Sequence, residues 1–133
     1  MEVPILKQGN YLIASIQSAL SDSDLAQLRD RLVAQVGKVR SRGVIIDLTA
    51  LDIMDSFATR TLRDTAHMIR LRGAETVIVG MQPEVAFTMV ELGLSLSGIA
   101  TALDLEEGLV YLDGRTGSRS RPGAGQKDGK GGT

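Results

Sequence analysis

The sequence predicts an α/β fold: a mostly parallel sheet of about five strands, its first hairpin antiparallel, flanked by about four helices. Three observations carry this. After two strand-like segments, short aliphatic runs alternate with stretches of helical periodicity. Two of those runs, Val44 to Leu48 and Thr76 to Gly80, are almost continuously apolar, as in strands covered on both faces. Glycines follow the helical stretches, where a left-handed residue commonly ends a helix. Strands alternating with helices imply right-handed crossovers and parallel pairing.

Taken in order, Val3 to Lys7 and Tyr11 to Gln17 read as strands around Gln8-Gly9-Asn10, a hairpin turn by composition. Ser21-Asp22-Ser23-Asp24 opens a helix, since a Ser or Asp can cap free amides and the acids suit the positive end of the dipole. Leu25, Leu28, Leu32, Val36 and Val39 form its apolar stripe, Arg40 and Arg42 suit its last turn, and Gly43 is expected to end it. The next strand, Val44 to Leu48, leads through a loop to a helix over Ser56 to Arg72, with Ala58, Leu62, Ala66 and Ile69 on one face and Gly73 closing it. After the strand Thr76 to Gly80, Pro83 stands where a first helical residue tolerates proline. Val85, Ala86, Met89 and Val90 are expected to be the apolar face of that helix, which Gly93 closes. A last strand, Ile99 to Leu103, and a short helix, Leu105 to Leu112, complete the body. No internal repeat is present.

The chain's 133 residues suit one domain, placed at residues 1–113. Two Phe, two Tyr and no Trp leave the core to aliphatic residues and provide almost no stacking platform for nucleic acid. The absence of cysteine excludes disulfides, thiolate metal sites and a cysteine nucleophile. One histidine, His67, makes a His-based triad or metal cluster hard to build. No apolar run approaches membrane-spanning length and the first residues do not read as a signal peptide, so a cytoplasmic location is expected. Net charge is −1, but residues 114–133 carry five Lys/Arg, one Asp and seven Gly, with no apolar residue larger than Pro. That composition predicts a disordered tail. Its Gly123 to Gly131 stretch fails as a phosphate loop in spacing and context. No cofactor or metal is expected.

Chemistry concentrates at the end of the strand Val44 to Leu48. Asp47, Asp52 and Asp55 fall near its C-terminal edge, where open α/β sheets build their sites. Together they suit either a divalent cation or loop solvation with a helix cap. Ser56 follows Asp55 at the helix start. A phosphate there meets free amides and the positive dipole end, and adds about −1.5 to −2 charges next to Asp52 and Asp55. By residue chemistry alone, a serine in this position also serves simply as a cap.

The order of elements and the segment Ile53-Met54-Asp55-Ser56 resemble the STAS domain of anti-sigma factor antagonists over residues 3–112. Within that family the stressosome branch is most similar, on Val3 to Lys7, Tyr11 to Gln17, Asp55-Ser56-Phe57-Ala58, and Gly80 to Gly93 with its Pro83-x-x-Ala86 and Glu91-Leu92-Gly93. The free sporulation-type antagonists tend to carry Ser-Ser-Gly-Leu at the switch, and Phe57-Ala58-Thr59-Arg60 stands here instead. RsbR-type subunits have an N-terminal sensor domain and usually a threonine at the switch.

The resemblance implies a scaffold, not an enzyme. It would assemble with RsbR-type subunits and hold an RsbT-type switch kinase until Ser56 is phosphorylated, with an RsbX-type phosphatase resetting the serine. A homo-oligomer or a large hetero-assembly follows from the same likeness. Thr88 matches a second phosphorylation position of RsbR-type subunits, and Thr59 lies close to the switch. Asp55, Phe57, Arg60 and Arg63 are the expected partner contacts, the arginines toward an acidic kinase surface or paired with carboxylates such as Asp64. A free monomeric antagonist, a nucleotide-binding relative and a subunit that never carries phosphate are the alternatives.

Overall fold

The computed structural model describes residues 2–117. The chain folds into β1 (Ile5–Gln8), β2 (Tyr11–Ser15), α1 (Asp22–Lys38), β3 (Gly43–Asp47), α2 (Ser56–Leu71), β4 (Glu75–Val79), α3 (Pro83–Glu91), β5 (Ala100–Ala102) and α4 (Leu105–Thr116). The five strands form one sheet in sequence order. The β1–β2 pair is antiparallel, and every later pair is parallel. This is the architecture that the alternating pattern predicts.

The hairpin closes through Gly9 and Asn10, with Gly9 at φ 60°, a sign of φ that primed hairpin turns require. Side chains then divide by strand alternation. Leu12, Val44, Ile46 and Ile78 face α1, α2 and α3, packing with Leu28, Leu32, Leu62, Ile69, Val85 and Met89. Ile13, Ile45, Val77 and Val79 face α4 and pack around Leu112. Both faces of β3 and β4 are therefore covered, which explains their continuous apolar runs. Gly108 lets α4 lie close on the sheet, since a Cβ there would stand 2.7 Å from Val79 Cγ1.

Several boundaries differ from expectation. Gly43 does not end α1; it is the buried first residue of β3. The turn after α1 is made by Arg40 at φ 53°, a non-glycine residue in the left-handed region. Val39 caps the helix and packs partly against the core. On α3, Val85 and Met89 are buried, but Ala86 is exposed and Val90 is 78% exposed. The helix is short and seats only one narrow stripe on the core. β1, β2 and β5 are shorter than expected, β3 and β4 keep their length but start one residue earlier, and α4 runs on to Thr116, three residues beyond the expected limit of the body. Its tie to the sheet explains the extension: Tyr11 donates its hydroxyl to Asp113 Oδ1, and Arg42 Nη2 donates to the Thr116 carbonyl at 2.9 Å. The expected disordered tail and the Gly123 to Gly131 stretch otherwise lie outside the described residues.

Candidate functional site

Because α1, α2 and α3 follow parallel strands, they run back against them, and their N-termini gather at the C-terminal edge of the sheet. The β3–α2 loop crosses that edge. Asp47 starts it: its Oδ1 accepts from the Thr49 amide at 2.9 Å and the Thr49 hydroxyl at 2.6 Å, a local turn built by one carboxylate. Gln82 Nε2 donates to the Thr49 carbonyl at 2.7 Å, fastening the loop to the start of α3. Leu51 and Met54 are buried and anchor it from below, leaving Ile53 65% exposed between them.

Asp55 is the N-cap of α2. Its Oδ1 accepts from the Ala58 amide at 2.8 Å, and its carbonyl accepts from the Thr59 amide and hydroxyl, each at 3.0 Å. Ser56 is thus the first helical residue, half-buried, and its hydroxyl has no hydrogen-bond partner among the described residues. Asp55 takes the Ala58 amide, so the Ser56 and Phe57 amides are the donors of the first turn left toward an anion. Phe57 is half-buried beside it.

Ser56, Arg60, Arg63 and His67 recur at i, i+4, i+7 and i+11 and share one face of α2. Arg60 is exposed and free of hydrogen bonds and ion pairs among the described residues. Arg63 Nη1 reaches the Ser95 carbonyl at 3.4 Å. Neither arginine pairs with Asp64 among the described residues. His67 is exposed.

The two threonines differ sharply. Thr59 is fully buried with its hydroxyl bonded to the Asp55 carbonyl, so it is removed as a phosphorylation candidate by lack of access. Thr88 is exposed, its hydroxyl donating to the Glu84 carbonyl at 3.0 Å. Among the described residues no group of three or more His, Cys, Asp or Glu side chains is placed to hold a metal ion. Asp47 and Asp55 are instead occupied with backbone amides.

A feature missed in the sequence lies next to Asp55 and the start of α2. A cleft of about 180 Å³ opens between the β2–α1 loop and the β3–α2 loop. Ile16, Leu20, Leu25, Leu51, Met54 and Leu62 line it, with Asp55 and Ala58 at the Ser56 side. These residues come from segments far apart in sequence, brought together by the parallel β2–β3 pairing and the packing of α1 on α2. Among the described residues no helix is long and apolar enough to cross a membrane.

The fold and sequence have close counterparts. An RsbS from Moorella thermoacetica, in a variant with one serine replaced by glutamate, is 38% identical with a TM-score of 0.74, over 85% of this chain and 96% of that one. A chain from the molecular architecture of the stressosome, a signal integration and transduction hub, is 35% identical with a TM-score of 0.69, over 84% and 97% of the two chains. The RsbT co-antagonist protein RsbRA of Bacillus subtilis (strain 168) is 27% identical over 107 residues, and the chain spans 38% of that relative's length. The unphosphorylated anti-sigma factor antagonist SpoIIAA shares the fold at 14% identity. The STAS domain model matches residues 2–108, and the chain belongs to the STAS domain family.

Proposed function

We propose that this chain is an RsbS-type stressosome scaffold and anti-sigma factor antagonist that holds a switch kinase and releases it when Ser56 is phosphorylated. The observation that carries the reading is the state of Ser56. Its hydroxyl is unbonded at the first turn of α2, beside the exposed Ile53, in a chain 38% identical to an RsbS along nearly that chain's whole length. In this reading RsbR-type subunits are the co-assembling partners, an RsbT-type kinase is the cargo and an RsbX-type phosphatase resets the serine. The chain is a substrate and supplies no catalytic group. Thr88 is a secondary acceptor.

The chemistry follows from the surroundings. Unmodified, the surface around Ser56 offers Ile53 and Phe57 as apolar contacts and Arg60 as an unpaired cation. A phosphate on Ser56 brings about −1.5 to −2 charges onto that surface. The helix accepts them through its free amides and dipole. A docked partner does not, because the dianion must shed water against apolar groups. Arg60, one turn along the same face, pairs with the phosphate and is withdrawn from the partner.

The test is the affinity of the RsbT-type kinase for Ser56 variants. Ser56→Ala should bind as the unmodified chain does, and Ser56→Asp should bind roughly tenfold or more weakly, about 1.4 kcal/mol. Full affinity in Ser56→Asp together with loss in Ser56→Ala contradicts the reading.

A further inference from the structure

The parallel order of the strands collects the helix ends at the edge of the sheet opposite Ser56, and that edge is basic. Its turns lie side by side: the Arg42 amide donates to the Asn10 carbonyl at 2.8 Å, and the Glu75 amide donates to the Arg42 carbonyl at 3.2 Å. Lys38 ends α1, Arg40 and Arg42 follow in the next turn, Arg70 and Arg72 close α2, and Arg115 stands in the last turn of α4. All of these side chains are exposed. The acids at this end are Glu75, Asp113 and, at the end of α3, Glu91. Glu75 stands 4.0 Å from Arg115 Nη2, and Asp113 accepts from the Tyr11 hydroxyl.

The remaining cations are held by backbone and keep their charge. Arg42 and Arg70 donate through Nη2 to the Thr116 and Gly98 carbonyls at 2.9 and 2.7 Å, and Arg72 donates through Nη1 to the Val33 carbonyl at 3.1 Å. Gly37 makes room for Arg72, since a Cβ there would collide with its Nη2. Lys38 and Arg40 have no ion pair among the described residues. Arg40 is held at φ 53°, where a glycine would sit without strain. Its exposed side chain gives packing no reason to keep an arginine there. Strained residues of this kind gather at ligand sites.

The chemistry of the edge selects a partner. The starts of β2, β3 and β4 span about 10 Å, and a nucleic-acid duplex presents about six negative charges over that length. Leu71, 88% exposed, stands between Arg70 and Arg72. A leucine among arginines is too little apolar surface for the core of a protein interface, whereas a wet, cationic contact suits phosphates. Residues 35–42 and 68–75 contain no aromatic side chain, so bases have nothing to stack on. The chain also continues from this edge: beyond Gly117 it carries Arg119, Arg121, Lys127 and Lys130 against Asp128.

We propose that this edge, centred on Lys38, Arg40, Arg42, Arg70 and Arg72, binds the phosphate backbone of double-stranded nucleic acid without reading its bases. Ser56 lies at the other end of α2, whose 16 residues span about 24 Å, so the contact is independent of the switch.

Fluorescence anisotropy of a labelled DNA duplex titrated with the full chain tests this. Kd should be about 10 μM or tighter at about 0.05 M salt and weaken roughly a hundredfold by about 0.2 M. Duplexes of unrelated sequence should bind alike. Lys38→Gln combined with Arg40→Gly should weaken binding roughly tenfold or more and reduce the salt dependence by about two phosphate contacts. Glycine relieves the backbone at position 40, and circular dichroism checks that the variant is folded. Arg70→Gln should weaken binding in the same direction, whereas Arg29→Gln, which removes a charge from the middle of α1, should not. Absence of binding up to about 1 mM at about 0.05 M salt overturns the proposal. So does an equal loss in Arg29→Gln, or a loss confined to Arg119→Gln with Arg121→Gln, beyond the described residues. Capture on phosphatidylglycerol vesicles without duplex binding, or equal displacement of the duplex by polyglutamate, makes the partner a membrane or an acidic protein and overturns it as well.

Discussion

Asp55 and Ser56 divide the work at the start of α2. The carboxylate of Asp55 ties down the Ala58 amide and its carbonyl holds Thr59, so Ser56 is released from capping and left with a free hydroxyl. Replacing Asp55 by Ala should lower stability by about 1 kcal/mol, while Asn, an equally good cap, should cost only a few tenths. Thermal or urea denaturation of the two variants distinguishes them, and equal losses would show that charge rather than capping is what matters. The sequence shows a polar pair at a helix start but not which member caps. Either residue type can, and the choice is settled by a backbone that puts Asp55 in extended geometry, at φ −95° and ψ −177°. Access is equally invisible from one dimension: Thr59 and Ser56 are three residues apart, and the helical turn buries the first and leaves the second at the surface.

At the scale of elements, strand and helix identities were legible because period 2, period 3.6 and the doubly buried aliphatic runs differ clearly. Ends were less so. Nothing in Arg40 announces a left-handed residue, so the nearest glycine, Gly43, takes the blame for ending α1 in any reading of the sequence. On α3 the apolar residues Val85, Ala86, Phe87, Met89 and Val90 spread over more than one stripe, and the pattern cannot say which one seats on the core. Gly80 shows how one element positions another. It follows β4 at φ 77°, and a Cβ there would lie within 2.1 Å of Thr49 Oγ1, the hydroxyl bonded to Asp47. Gly80→Ala should therefore cost about 2–3 kcal/mol through backbone strain and crowding together, a fall of roughly 10 °C in Tm. Gly93→Ala, at φ 69° in open space, should cost only about 1 kcal/mol. Equal falls would mean that the Asp47–Thr49 turn gives way freely and does not hold the loop that leads to Ser56.

The whole molecule is polarised by its topology. Helix N-termini gather at one edge of the sheet with Asp22, Asp24, Glu84, Glu106 and Glu107 in their first turns. Lys38, Arg70 and Arg115 stand in last turns at the opposite edge. Each placement offsets a helix dipole locally, and the sum is a body with an acidic end holding Ser56 and a basic end holding Leu71. The uneven placement of charge in the chain was readable from composition, whereas its sorting to two edges needs the parallel order of the strands. The cleft likewise needs the fold, since its two walls are joined through β2–β3 pairing and the packing of α1 on α2. The family resemblance implies the role proposed for Ser56, and the structure adds its unbonded hydroxyl, its free amides and its apolar neighbours.

The central claim is that Ser56 is a phosphorylation switch. Incubation of the full chain with an RsbT-type kinase and ATP, followed by intact-mass measurement and site mapping, tests it most directly. The account predicts one added phosphate, on Ser56. No phosphate on this chain, with the same kinase active on an RsbR-type subunit, would contradict it and leave Ser56 as a structural residue of the first turn of α2.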